Sequence, residues 1–406
     1  MKNAILFTSL AITLALGLVY APALRADESD YSPTFCNEDE VKEQRSFMRP
    51  FLEPSYIPSA ERLASYVGAN MGRYTGKETP EQLKAMSATC QTNYDKIVAA
   101  LPEKLSVPVA RKRKILVLCY RSGMEYHVPG QAGYLILLRE AAKKYPGTFE
   151  ITEAYKPDGI DAKMLAGFDV VVVNSQQQLG RRGKYGLEWG LIATHPEMKE
   201  EMSKRQEEEM KVFKPLYEEL LPAFVKNGGG LVGIHATALL EGGRGDNGSE
   251  FSTMLGGVDD AWCHPFYKGR LAHSNEYSPT PVKILEPNNP LTFAFRDAPD
   301  AKLNDELFSF WLPKSSMNDT RAIVRCDYEK IPGLTYNDKS EERCKDFASA
   351  IIWIKNYGKG RVYYNVLGHG ETIFGVPCVA QSMLDGLLYA TGDLKVPDAP
   401  ATAAGK

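Results

Sequence analysis

The chain has 406 residues, with 48 lysines and arginines against 51 aspartates and glutamates, for a formal charge of −3. That balance offers no electrostatic reason to expect nucleic acid or an anionic membrane surface as a partner. The length exceeds one typical domain and suits a large α/β domain with an N-terminal appendage.

Lys2 makes a short positive start, and residues 4–19 form an apolar run interrupted by Thr and Ser. Small residues follow at Ala21, Ala23 and Ala26, before an acidic start at Asp27. This is the pattern of a secretory signal peptide, residues 1–26, cleaved after Ala26 or Ala23. The competing reading is an uncleaved anchor, because the run approaches a spanning length. Cleavage after Ala26 removes Lys2 and Arg25 and no acid, leaving 46 basic and 51 acidic residues and a charge of −5. No later segment approaches a membrane span, so the mature protein is expected to be exported, periplasmic or extracellular. Seven cysteines in an exported chain permit disulfides, and the odd number leaves at least one without an internal partner. Cys36 with Cys90 would staple the N-terminal segment, and Cys326 with Cys344 would close an excursion between two strands.

Residues 27–111 read as a helical N-terminal segment. Ser59 can cap a helix to about Met71, and Thr79 followed by Pro80 and Gln82 is a capping box with proline at the first helical position. That second helix would carry Leu83, Met86, Tyr94, Ile97 and Val98 on one stripe. Residues 112–393 then alternate strands and helices. Strands are expected at 114–119, 148–154, 169–174 and 231–234, the apolar ones reading as buried parallel strands. Helices are expected at 131–145 and 198–227, the second kinked or broken at Pro215 and Pro222. After about residue 260, strands at 282–285, 321–326, 350–354 and 361–366 follow without long helices, with a hairpin turn at Gly358, Lys359 and Gly360. A helix at 376–390 closes the domain, and 394–406 is a flexible Pro/Ala tail. The expected class is α/β, a doubly wound, mostly parallel flavodoxin-like sheet with additional strands.

The chemistry centres on His235. A buried strand runs into Gly233, Ile234, His235, Ala236 and Thr237, the small-residue setting of a nucleophile elbow. Such elbows carry Ser, Cys or Asp at the centre; histidine there suits a base or a metal ligand. His127 follows the first strand, His369 follows the strand at 361–366, and His264 sits in a loop after a short helix at 251–255. Ligands of open α/β sheets bind outside the carboxyl ends of the strands, so these four histidines suit a metal site or paired acid–base work. His195 and His273 read as surface or structural residues. Asp305 and Glu306 open an aromatic strand at 307–311, where an acid could orient a histidine or bind a metal. Tyr120, Arg121, Trp262 and Glu371 are candidate substrate contacts. The Gly-rich stretch 241–248 lacks the Lys-Ser/Thr of a phosphate loop and reads as a surface loop or lid.

These blocks together resemble the ThuA-like (trehalose-utilisation) family. They are Gly230 to His235, Phe251 with Met254 to Gly257, His264 with Pro265, Asp305 with Glu306, and Gly358 to Val362 with Leu367, Gly368 and His369. The resemblance spans residues 112–393 and implies the class I glutamine amidotransferase-like fold. Amidotransferases carry Cys at the elbow and His-x-Glu after a late strand. Here His235 holds the first position, and His369 with Glu371 keeps the second, so glutamine hydrolysis through a thioester is not expected. The family commonly has His-Pro before a Thr where this chain has Asn289, Pro290, Leu291 and Thr292. The resemblance implies a carbohydrate ligand, with keto-glycosides among the candidates. The catalytic candidates are His235, His369 and Glu306. The candidate ligands of a divalent metal such as zinc are His127, His235, His264 and His369. Two other readings stay open: a non-catalytic carbohydrate-binding protein, and a hydrolase using Cys119 or Cys263.

Overall fold

The computed structural model describes residues 80–119, 127–155, 157, 159–174, 211–239, 249–256, 260–263, 280–301, 303–311, 320–327, 330 and 349–397. The expected signal peptide, the helix at 59–71, Tyr120, Arg121, His195, His264, His273, the Gly-rich loop and the end of the tail lie outside them. So do Cys36 and Cys344, and with them both expected disulfides.

Three apolar runs bury both faces and become the core strands β1 (Arg113–Leu118), β3 (Val170–Asn174) and β4 (Gly230–Ile234), and the more polar β2 (Phe149–Ala154), with only Phe149 buried, pairs parallel with β1 at the edge of the sheet. Ile115, Leu116, Val117 and Leu118 are fully buried, as are Val170 to Val173. Each such side chain contributes about 1.5–3 kcal/mol through burial. The aromatic-flanked later runs supply β6 (Val282–Ile284), β8 (Thr320–Cys326), β9 (Ala350–Tyr357) and β10 (Gly360–Asn365). The eight strands order as β2-β1-β3-β4-β10-β9-β8-β6. The first five are parallel and the last three antiparallel. Counted in chain order, the parallel five run 2-1-3-4-5, the flavodoxin-like order, which places the switch point beside β1.

The elements between strands are α1 (Pro80–Ala100), α2 (Val128–Lys144), α3 (Ala162–Leu165), α4 (Leu221–Lys226), α5 (Glu250–Leu255), α6 (Phe293–Arg296) and α7 (Pro377–Thr391). Pro215 does disturb its helix: residues Pro215–Leu220 form a π-helical segment leading into α4. A proline lacks the N–H that an α-helical turn needs, and the wider turn absorbs the loss.

One strand falls outside those expected: residues 260–263 form β5 (Asp260–Cys263), paired antiparallel with β7 (Phe308–Trp311) in a separate two-stranded sheet. Short strands joined by neither hairpin nor helix rhythm leave little periodicity to read. The residues just past α7 pack back onto it. After Gly392 ends α7 in the left-handed conformation, the Leu394 N–H donates to Leu388 O and its side chain is buried. At the other end, α1 packs against α2, α7 and the turn after β10, burying Ile97 completely. Among the described residues, no helix is long and apolar enough to cross a membrane.

Candidate metal centre

The site is assembled at the carboxyl ends of β1, β4 and β10. β4 ends at Ile234, and His235 follows with φ +45°, the one non-glycine residue of positive φ among those described. A left-handed conformation costs a side chain with a Cβ about 1–3 kcal/mol, so surrounding bonds must hold it. Tyr364 donates its hydroxyl to the His235 carbonyl. Thr237 Oγ1 donates to Val173 O at 2.8 Å and accepts from Ile234 N at 3.2 Å. The sharp strand-to-helix turn expected from the small residues is therefore present, with histidine at its apex.

His127 is the N-cap of α2, and His369 lies in the turn after β10. The three imidazole centroids form a near-equilateral triangle: His127 to His235 5.0 Å, His127 to His369 5.1 Å and His235 to His369 5.2 Å. Glu306 closes the group. One of its oxygens, Oε2, lies 3.2 Å from His235 Nε2 and 3.1 Å from His369 Nδ1. One nitrogen from each histidine and one Glu306 oxygen all lie within 4.8 Å of one another. Three imidazoles and a carboxylate, largely buried, could hold a metal ion.

The chemistry of the donors favours that use. His235 Nδ1 lies 2.6 Å from the Val366 carbonyl, which can only accept, so Nδ1 carries the proton. A neutral His235 would then turn the bare lone pair of Nε2 toward a carboxylate. Only a second proton or a cation in the gap makes that contact attractive. A backbone carbonyl orienting one ring nitrogen while the other faces the site is the usual outer support of a metal-bound histidine.

Electrostatics tie the pair together. Burial alone would raise the Glu306 carboxyl, but His369 and His235 outweigh it and hold it well below its ordinary range. Burial likewise opposes a charged His369, yet Glu306, with Asp305 and Glu371 behind it, raises it above 6.5. In the metal-free protein, the His369 contribution to stability is complete below pH 6.5 and lost as pH rises through the raised value. The Glu306 contribution is present above pH 4.5 and lost as pH falls through its depressed value. Metal-free protein is thus expected to lose melting temperature on the alkaline side, as His369 gives up its proton. Zinc affinity should move the opposite way, rising with pH, because the metal competes with that proton. Melting curves with and without a chelator at pH 6 and pH 8.5 check both signs.

Other candidates fall into different places. Glu371 opens the turn Glu371–Gly375 and accepts a 2.7 Å bond from Asn93 of α1. Burial raises its carboxyl. Trp262 lies in β5, opposite Ser309. Asn289 caps the turn Pro290–Thr292 by accepting from Leu291 N, so the loop that departs from the family pattern has a structural task. Cys119 is buried at the end of β1, its thiol 3.5 Å from Val117 O, an unsuitable setting for a nucleophile. Residues with no obvious sequence signal also shape the site. Gln131 and Asn174 exchange side-chain-to-backbone bonds of 3.0 Å, tying the start of α2 to the end of β3. Gly130 and Gly133 let α2 lie directly on the turn that carries His369 and Glu371.

These features define a flavodoxin-like α/β protein with a histidine-rich site at the carboxyl edge of its sheet. The sequence model of the ThuA family, described as trehalose utilisation, matches residues 114–390. The chain belongs to that family, whose description supports a carbohydrate-related role. Among solved structures it is similar to a putative ThuA-like protein from Bacteroides uniformis, at 17% identity and TM-score 0.43, covering 71% of this chain and 95% of that one. It is also similar to one from Parabacteroides merdae, at 14% identity and TM-score 0.36, covering 71% and 94%. The comparison with curated proteins finds no match.

Proposed function

We propose that this is an exported carbohydrate-active protein whose His127, His235, His369 and Glu306 hold a divalent metal, zinc foremost, and whose substrate is a keto-glycoside. The observation that carries the reading is the convergence of those four side chains above a strained elbow. The family's carbohydrate-related role supports the substrate class, and the apolar N-terminal run supports export.

A metal held there would supply a Lewis acid for a carbonyl oxygen and for the enolate that forms when a neighbouring carbon loses its proton. The protein's own groups divide the remaining work. His235 is locked by Val366 and serves as a fixed ligand. Glu306 bridges two rings and supports the charge of His369. His369 has a side-chain exposure of 12%, against 0% for His235 and 6% for Glu306, so among these three it is the ligand a bound substrate would approach from the solvent side.

The test is metal analysis of the full chain as purified, followed by turnover of keto-disaccharides by wild type and His235→Ala. The expected result is one divalent ion per chain, lost in the variant together with turnover. Unchanged turnover in His235→Ala, or full activity after complete chelation, sinks the proposal. Chelator-insensitive binding of the sugar without turnover would instead support a carbohydrate-binding protein.

A further inference from the structure

Asp305 stands next to Glu306 but works differently. It is 5% exposed and lies outside the four-residue ligand set. Its Oδ2 accepts from the Gly368 N–H at 2.5 Å and from the His369 N–H at 3.3 Å. Its Oδ1 accepts from the Gly370 N–H at 3.3 Å. Three consecutive N–H groups outside a helix turn toward this one carboxylate, and Gly368, at φ +126°, supplies the positive-φ residue in that run. Such a concave run of N–H groups is an anion-binding nest. Here the chain fills it with its own carboxylate, delivered by the segment that also carries Glu306. The two neighbouring acids grip the same turn, one by its backbone and the other by the His369 ring.

We propose that Asp305 is a positioning residue for the metal centre: by filling this nest it sets the backbone of the His369 turn, and so the direction of the His369 ligand nitrogen. The inference rests on the metal reading above. An amide has the same shape, but it can present an oxygen to only one side of the nest. Its NH2 group would meet an N–H on the other side, so Asp305→Asn should disturb the turn without removing any ligand.

The probes are zinc affinity, by chelator competition, and the visible absorption of the cobalt(II)-loaded full chain. Asp305→Asn is expected to weaken zinc by about 10- to 100-fold, the scale of lost outer support, and to shift the cobalt bands. Asp305→Glu keeps the charge but carries it one methylene further, so it cannot fill the nest with the same three bonds. It should act in the same direction by a smaller factor, and it decides the question if the Asn variant does not fold. Wild-type affinity and spectrum in the folded variant overturn the positioning role while leaving the metal centre intact. A wild-type chain that binds neither ion overturns both.

Discussion

Replacing Gly130 with alanine is expected to open the histidine triangle while leaving all four ligand side chains in place. A Cβ at Gly130 would fall on the Gly368 carbonyl oxygen and 2.8 Å from the His369 carbonyl oxygen. Both obstacles are backbone, so no side chain can rotate away. Either α2 lifts, carrying His127 with it, or the turn after β10 retreats and takes His369. Overpacking of this kind costs about 3 kcal/mol, the upper end of its usual range, which lowers the melting temperature by roughly 5 °C for a domain of this size. Zinc affinity should fall at least tenfold, because the imidazoles start from centroid separations near 5 Å and tolerate little further spreading. Gly370→Ala serves as the control: its φ of −110° suits alanine, and the space around it is open. Equal affinity in Gly130→Ala and wild type would show that the contact between α2 and the turn does not set the site.

Glu306→Gln is expected to have the larger effect on the metal and a diagnostic effect on His369. The amide keeps the shape of the side chain but removes the charge that touches both His235 and His369. Loss of one of four ligands should weaken zinc by more than about 100-fold, beyond the range for outer-shell partners. The His369 cation loses its strongest support, leaving burial to favour the neutral ring, so its titration should move down from the raised value. Proton NMR of the histidine ring signals in metal-free protein reads this directly. An unmoved His369 titration would show that Asp305 and Glu371, and not Glu306, hold its charge. The stability gained at lower pH should shrink with it, since that gain is the linkage consequence of the raised value.

Much of the framework can be read along the chain. Residues 115–118, 170–173 and 230–234 are apolar on both faces, the pattern of a strand covered on both sides. The hairpin between β9 and β10 follows from Gly358 and Gly360. His235 is legible because small residues surround it at a strand end, and its positive φ is what such a turn requires. His127 and His369 are legible because they follow strands that share an edge. Glu306 is only half legible, as an acid beside an aromatic strand, because nothing local says that the segment before β7 reaches back over β4 and β10. The Gly130 and Gly133 contacts, the Asn93–Glu371 bond and the pairing of β5 with β7 are invisible for the same reason. Each joins residues far apart in sequence, and no periodicity encodes a partner that distant.

Local chemistry alone therefore determined the strands of the main sheet and the sharp turn that carries His235 at its edge, since those depend on hydrophobic period and backbone sterics over a few residues. Only the tertiary structure decided that three of the histidines meet, that a glutamate bridges two of them, and that the neighbouring aspartate fills a backbone nest. Those relations require the crossing of distant segments above the sheet, where backbone contacts at Gly130 and Gly133 set how closely the imidazoles approach.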